Sequence, residues 1–163
     1  MSPSAELTLR PAAAADHPRL LAVWRAAVEA THAFLTPADI EGYAARMLPE
    51  FLPAVDLVVA ERDGVVVGFR GMAGHRIEML FVDPAEHGRG VGTALLDDAA
   101  RSHPVVDLDV NEQNPGAREF YRRRGFVEVG RSPVDGEGRP FPVVHLRREA
   151  DVRREAALGR RFG

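Results

Sequence analysis

The residues whose types and spacing suit chemistry fall between positions 78 and 126. His87-Gly88-Arg89-Gly90-Val91-Gly92 joins a β-branched run ending at Val82 to a stretch from 89 to 102 with helical periodicity. Glycines let backbone N–H groups approach an anion closely, and a helix starting here adds unpaired donors and a partial positive charge. A pyrophosphate fits such a turn. The dinucleotide pattern GxGxxG is excluded because Thr93 stands where its third glycine belongs, and no GK[ST] completes a Walker loop. A tight strand-to-helix turn without a ligand is the competing reading. On the preceding strand, Glu78 is either a proton acceptor or a surface glutamate paired with Arg76. Strand alternation puts it with Arg76, Leu80 and Val82, opposite His75, Ile77, Met79 and Phe81. The chain has no cysteine, which removes thiol nucleophiles and thiolate metal sites. Its six histidines show no pair at metal-ligand spacing with supporting carboxylates, so no metal is expected.

These residues need a scaffold, and the periodicities supply one. Residues 6 to 10 alternate as a strand, and Pro11 ends it. Leu20, Trp24, Ala27, Val28 and Thr31 recur at helical spacing, which predicts a helix over 16–33 with Pro18 in its first turn. Thr36 and Pro37 open a second helix running to Met47, after which Pro49 and Pro53 are expected to break the chain. Two β-branched runs, 56–61 and 65–70, flank Arg62-Asp63-Gly64, a hairpin signal. A strand over 75–82, a helix over 89–102 and a strand over 105–110 follow. A helix over 115–124 ends at Gly125, and strands near 126–131 and 141–147 enclose a loop dense in Pro, Gly and Asp. The pattern has no repeat and no interdomain linker, so residues 1–147 read as one domain and 148–163 as a charged tail.

Composition narrows the class. With 163 residues, 45% hydrophobic and 28% charged, the chain matches one globular domain with a single core. No apolar run reaches the roughly 18 to 20 residues of a membrane span, and MSPSAELTLR lacks signal-peptide regions, so a cytoplasmic location is expected. A net charge of −3 gives no nucleic-acid footprint beyond the local cluster Arg122, Arg123 and Arg124, so nucleic acid is an unlikely partner.

A second constellation follows the turn: Asn111, Asn114, Ala117, Phe120, Tyr121, Gly125 and Phe126. VDPxxxGxGxGxxLL over Val82 to Leu96, then NxxAxxFYxxxGF over Asn114 to Phe126, resembles the GNAT superfamily of N-acetyltransferases. AVWRAAVEATHAFL (22–35) and VNEQNPGAREFYRRRGF (110–126) look like its bacterial YjaB-type branch. The superfamily usually opens the phosphate motif with Arg or Gln where this chain has His87.

The resemblance implies an α/β (α+β) fold, a mixed, mostly antiparallel sheet of about six to seven strands flanked by about four helices. It implies acetyl-CoA as co-substrate and direct attack by a primary amine in a ternary complex. The acceptor would be a small molecule, a peptide N-terminus or a protein lysine, and the protein a monomer or homodimer. His87, Gly88, Arg89, Gly90, Val91, Gly92 and Thr93 would hold the pyrophosphate. A splayed strand at Leu80, Phe81 and Val82 would hold the pantetheine arm and offer an N–H to the carbonyl oxygen. Tyr121 would protonate the departing thiolate, with Ala117 and Phe120 beside the coenzyme. Asn111 and Asn114 would bond the coenzyme or cap the helix. Glu78 is the first candidate for the base that deprotonates the amine. Thr31, His32, Phe34 and His75 are candidates for the acceptor pocket, shaped by residues 30–55 and 132–140. All 21 Lys or Arg residues are arginine, so no lysine side chain of this chain can be acetylated. An acetyl-CoA-binding sensor without turnover, or a relative acting on aminoacyl-tRNA, are the competing readings.

Overall fold

A computed structural model describes residues 6–150. Strand β1 (Thr8–Pro11) leads through a short 3-10 turn into helix α1 (His17–Thr31), with Pro18 in its first turn as expected. Helix α2 (Pro37–Arg46) starts at a reciprocal cap, where Thr36 Oγ1 accepts from Asp39 N–H at 3.1 Å and Asp39 accepts from Thr36 N–H at 3.0 Å. The chain does not break at Pro49. It widens into a π-helical turn, Met47–Phe51, closed by Leu52 N–H on the Met47 carbonyl, and this register leaves no place that needs the missing proline donor.

Strands β2 (Asp56–Arg62) and β3 (Val65–Ala73) form the expected hairpin. Asp63 and Gly64 sit at φ 53° and 73°, the left-handed pair a tight primed turn requires. β3 continues through Gly71, which periodicity placed in a loop. A Cβ there would lie 2.6 Å from Val55 Cγ2, so a glycine is what the close approach permits.

β4 (Arg76–Val82), α3 (Val91–Ser102), β5 (Val105–Asn111), α4 (Pro115–Arg123), β6 (Val127–Ser132) and β7 (Val143–Glu149) complete the chain. β7 carries Arg148 and Glu149 beyond the expected domain end at 147; from 151 onward the expected tail lies outside the described residues. The seven strands form one mixed sheet in the order β1-β2-β3-β4-β5-β7-β6, flanked among the described residues by four α-helices, as the resemblance implied.

α1 covers one face, where Leu20, Val23, Trp24 and Val28 pack on Val59 and Phe69. α3 covers the other with Leu96 and Ala99 against Met72, Ile77, Val106 and Leu108. Side chains such as Leu20 and Phe69, wholly removed from water, each contribute about 2 kcal/mol to holding these layers together. The face of β5 and β7 that carries Asp107, Asp109, His145 and Arg147 is polar.

Two irregularities position the site. β4 pairs with β5 in parallel through two residue pairs alone, Arg76↔Asp107 and Ile77↔Leu108, and beyond them the strands part. On its other side, β4 steps from Met72↔Ile77 to Gly71↔Met79, leaving Glu78 as an extra, bulged residue. The bulge overturns the simple alternation expected for this strand. Ile77 shares the α3-side core with Leu80, whereas Glu78 opens onto the same side as Met79 and Phe81.

Gly68 sets the height of α3 above the sheet, because a Cβ there would stand 2.8 Å from Val91 Cγ1 and 3.2 Å from the Phe81 carbonyl. Gly68→Ala is expected to cost about 1–3 kcal/mol through this overlap. Gly42→Ala in α2, where nothing lies within 4 Å, is expected to add roughly 0.5–1 kcal/mol. Urea denaturation midpoints of the two variants check the contrast.

Candidate active site

The glycine-rich turn is held from three sides. Asp83 accepts from Ala85 N–H at 3.0 Å and from Arg19 of α1 at 3.1 Å, fixing the start of a 3-10 turn over Pro84–Glu86. Glu86 is paired with Arg62 at 3.3 Å and with Arg89 at 3.2 Å. Gly88 and Gly90 follow at φ 76° and 83°, a left-handed conformation that costs other residues roughly 1–2 kcal/mol. Gly90 occupies the N-cap of α3 with no side chain capping the helix. The first-turn N–H groups of Val91, Gly92 and Thr93 therefore have no intrahelical carbonyl to bond and point outward as donors. His87 is exposed at the edge of the turn. This geometry fits a pyrophosphate.

α4 docks beside the turn. A Cβ on Gly92 would stand 3.0 Å from the Phe120 ring, and Arg124 spans the gap, stacked 3.7 Å from that ring's centroid and donating to Thr93 Oγ1 at 2.8 Å. Arg122 and Arg123 are both turned onto Glu119, so the arginine cluster is divided between local contacts. Asn114 caps α4, its side-chain oxygen accepting from Ala117 N–H at 3.2 Å, and Asn111 accepts from Gln113 N–H at 3.0 Å. Tyr121 lies edge-on between Phe120 and Phe126, with ring centroids 5.3 and 5.6 Å away. Burial pushes its phenol above the ordinary value of 10. The group stays protonated, a hydrogen-bond donor rather than a ready source of a free proton.

On the α1 side of β4 a cavity of about 520 Å³ opens. It brings together His32, Phe34, Glu78, Phe81 and Asn111 from the expected site. Thr31 is not on its wall but supports His32, its Oγ1 standing 2.7 Å from His32 Nδ1. His75 is elsewhere, at the β3–β4 turn, bonded to Asp107 at 2.8 Å. Periodicity put His75 on a strand; it sits instead in the turn before β4, where Asp107 of the neighbouring strand holds it.

Sequence reasoning missed Tyr43, Phe51, Phe141, Asp135 and Glu137 as individual wall residues, though it named the two segments holding all but Phe141. Three carboxylates and no arginine line the cavity. Glu78 accepts from Arg76 at 3.0 Å, and Arg76 also reaches Asp109 at 2.5 Å. Asp109 in turn meets His145 at 2.6 Å, and His145 meets Ser132 at 2.7 Å. His32 is half-buried, and desolvation lowers its pKa below the ordinary 6.5, so it is neutral at pH 7.

Because Asn114 caps the N-terminus of the helix that carries Tyr121 near its other end, Asn114→Ala is expected to cost about 1 kcal/mol, while Asn114→Asp, which keeps the acceptor, retains most of that stability. Guanidinium denaturation separates the two.

Residues 24–142 match the family model described as an acetyltransferase (GNAT) domain. The chain is 40% identical over 129 residues to the peptidyl-lysine N-acetyltransferase YjaB of Salmonella typhimurium, covering 78% of this chain and 88% of that protein. It is 41% identical to the Escherichia coli protein of the same name, over 78% and 86% of the two chains. The solution structure of apo YjaB from Escherichia coli superposes with a TM-score of 0.82 at 34% identity, covering 89% of this chain and 99% of that one. The ordered motifs, the parted strands and these likenesses agree: the chain belongs to the GNAT family of acetyltransferases, enzymes that move the acetyl group of acetyl-CoA onto an amino group.

Proposed function

We propose that this protein acetylates lysine side chains of polypeptides, by direct attack of the amine on acetyl-CoA held in the same complex. The observation that carries this reading is the cavity beside the open side of β4. Its wall is largely aromatic and aliphatic, it carries Glu78, Asp135 and Glu137, of which Asp135 has no arginine partner among the ion pairs of the described residues, and no arginine lines it. An alkylammonium on an apolar stem matches both properties, since rings such as Phe34 and Phe141 cover methylenes while carboxylates attract the charge. The two relatives at 40% and 41% identity are named for peptidyl-lysine acetylation, which supports the same choice of acceptor.

Each residue then has a task. Backbone N–H groups from Gly88 to Thr93 hold the pyrophosphate, with His87 and Arg89 at the edge. The side of β4 left unpaired after Ile77 receives the pantetheine amides at Leu80, Phe81 and Val82 and offers an N–H to the thioester oxygen, where negative charge develops. Tyr121 directs its hydroxyl to the departing sulfur. Ala117 and Phe120 wall the coenzyme, Asn114 keeps α4 in place, and Asn111 borders the acceptor. Glu78 faces the incoming ammonium, with Phe34 along its stem. Residues 1–147 with the end of β7 act as one catalytic domain, in the cytoplasm, where no additional chain is needed to complete the site. A coenzyme-binding module without turnover is less well supported, because the phosphate turn, the open strand and Tyr121 are all retained.

Tyr121→Phe tests this. The expected outcome is a loss in kcat of about 10²-fold toward an N-terminally blocked lysine peptide. The acetyl-CoA Kd, measured by calorimetry, is expected within about threefold of wild type, under 1 kcal/mol. A variant with undiminished kcat overturns the role given to Tyr121, and transfer to small amines but to no peptide overturns the acceptor.

A further inference from the structure

Beyond the binding of the acceptor, the geometry points to His32 as the catalytic base that takes the proton from the attacking nitrogen, through a tautomer fixed by Thr31. The inference rests on the acetyl-transfer reading above and specifies which group in that site does the proton work.

The hydrogen bonds at the end of α1 decide the tautomer. Thr31 Oγ1 donates its single hydrogen to the Ala27 carbonyl at 2.8 Å, the usual back-bond of a helical threonine. The same oxygen lies 2.7 Å from His32 Nδ1. With its hydrogen already committed, the oxygen can only accept, so Nδ1 must carry the ring proton. Nε2 is left with the lone pair. The backbone holds the ring at this place: His32 is the C-cap of α1, its N–H donating to the Val28 carbonyl at 2.8 Å. The ring packs on Phe34, with centroids 5.3 Å apart, and Phe34 packs on Phe141 at the same separation.

Glu78, the other candidate, is less free to act. One of its oxygens is engaged by Arg76, which Asp109 also holds, so that oxygen is already committed to a guanidinium and is not open to an incoming amine. The titratable and charged groups lining the cavity around His32 are Glu78 from β4, Tyr43 from α2, and Asp135 and Glu137 from the loop after β6. Arg46 pairs with Glu137, and Arg139 pairs with Asp39 while lying over the rings of Tyr43 and Phe141. Despite the nearby carboxylates, burial keeps the imidazole neutral at pH 7, the state in which it accepts a proton.

The ammonium gives one proton to solvent as it enters the apolar cavity. The neutral nitrogen attacks the thioester carbon, and as the C–N bond forms the nitrogen becomes cationic and acidic. His32 Nε2 takes its proton. The C–S bond breaks with the thiolate held by the Tyr121 hydroxyl, and solvent supplies the thiolate's proton while receiving the imidazolium proton. The sum is amide, free thiol and one proton released.

The test compares wild type, His32→Gln and Thr31→Val with acetyl-CoA and an N-terminally blocked lysine peptide between pH 8 and pH 5. His32→Gln is expected to lower kcat at pH 8 by at least about tenfold. Because wild type loses its base as the imidazole protonates, the ratio of wild type to variant is expected to shrink as the pH falls below the imidazole's ordinary 6.5. Comparing ratios cancels the titration of the peptide amine. Thr31→Val, which removes the oxygen but not the bulk, is expected to lower kcat severalfold while leaving the calorimetric acetyl-CoA Kd unchanged. A His32→Gln kcat within about twofold of wild type at pH 8, or a deficit equally large at every pH, overturns the assignment while leaving acetyl transfer intact. No transfer by wild type to any amine overturns both.

Discussion

Backbone groups that leave a ladder must find other partners or face water, and β4 puts this constraint to use. Its pairing with β3 continues to Val82, but its pairing with β5 stops at Ile77. The last five residues of the strand therefore present peptide groups on one side, in a wedge whose far wall is β5. The phosphate turn follows directly from β4, Glu78 bulges at the point where the strands part, and α4 brings Tyr121 across from the other half of the sheet. A ligand with amides in its middle and phosphates at one end meets, in order, an unpaired strand and a helix N-terminus.

Charge around the acceptor cavity is arranged by direction more than by number. The chain is rich in arginine, yet the guanidinium groups near the rim are each engaged by partners and none lines the cavity. Arg46 pairs with Glu50 and Glu137, and Arg139 pairs with Asp39 while lying over the rings of Tyr43 and Phe141. Exposed pairs of this kind contribute little to stability, on the order of 0–1 kcal/mol each. Their effect here is positional: they tie Glu137 and the rings of Tyr43 and Phe141, all on the cavity wall, to side chains of α2 and of the loop after β6.

Much of this was legible in the sequence because it is local. The Asp63-Gly64 hairpin, the Thr36-Pro37 helix start, the glycine turn and the NxxAxxFY helix each depend on a few adjacent residues, and each stands where spacing put it. What the sequence hid depends on contacts distant in the chain or on a single inserted residue. A period-two reading of β4 cannot register the extra residue at Glu78, so it assigned Ile77 and Glu78 to the wrong faces. Pro49 looked like a stop because the π-helical turn that absorbs it is rare. His75 looked available because its partner, Asp107, comes 32 residues later. The cavity wall could be assigned to segments but not to residues, since Phe34, Tyr43, Phe51 and Phe141 meet only when the loop after β6 folds back over α2.

The two halves of the sheet are joined by two residue pairs between β4 and β5, by the core packed under α3, and by Arg124 reaching from α4 to Thr93 on α3. On the proposed docking, acetyl-CoA touches the first half at the phosphate turn and the second at Tyr121, so it is a tie beam as well as a reagent. A ligand present at a hundred times its Kd adds about 2.7 kcal/mol to the folded state. On that docking, the resistance of this protein to unfolding and proteolysis would follow the supply of its acetyl donor.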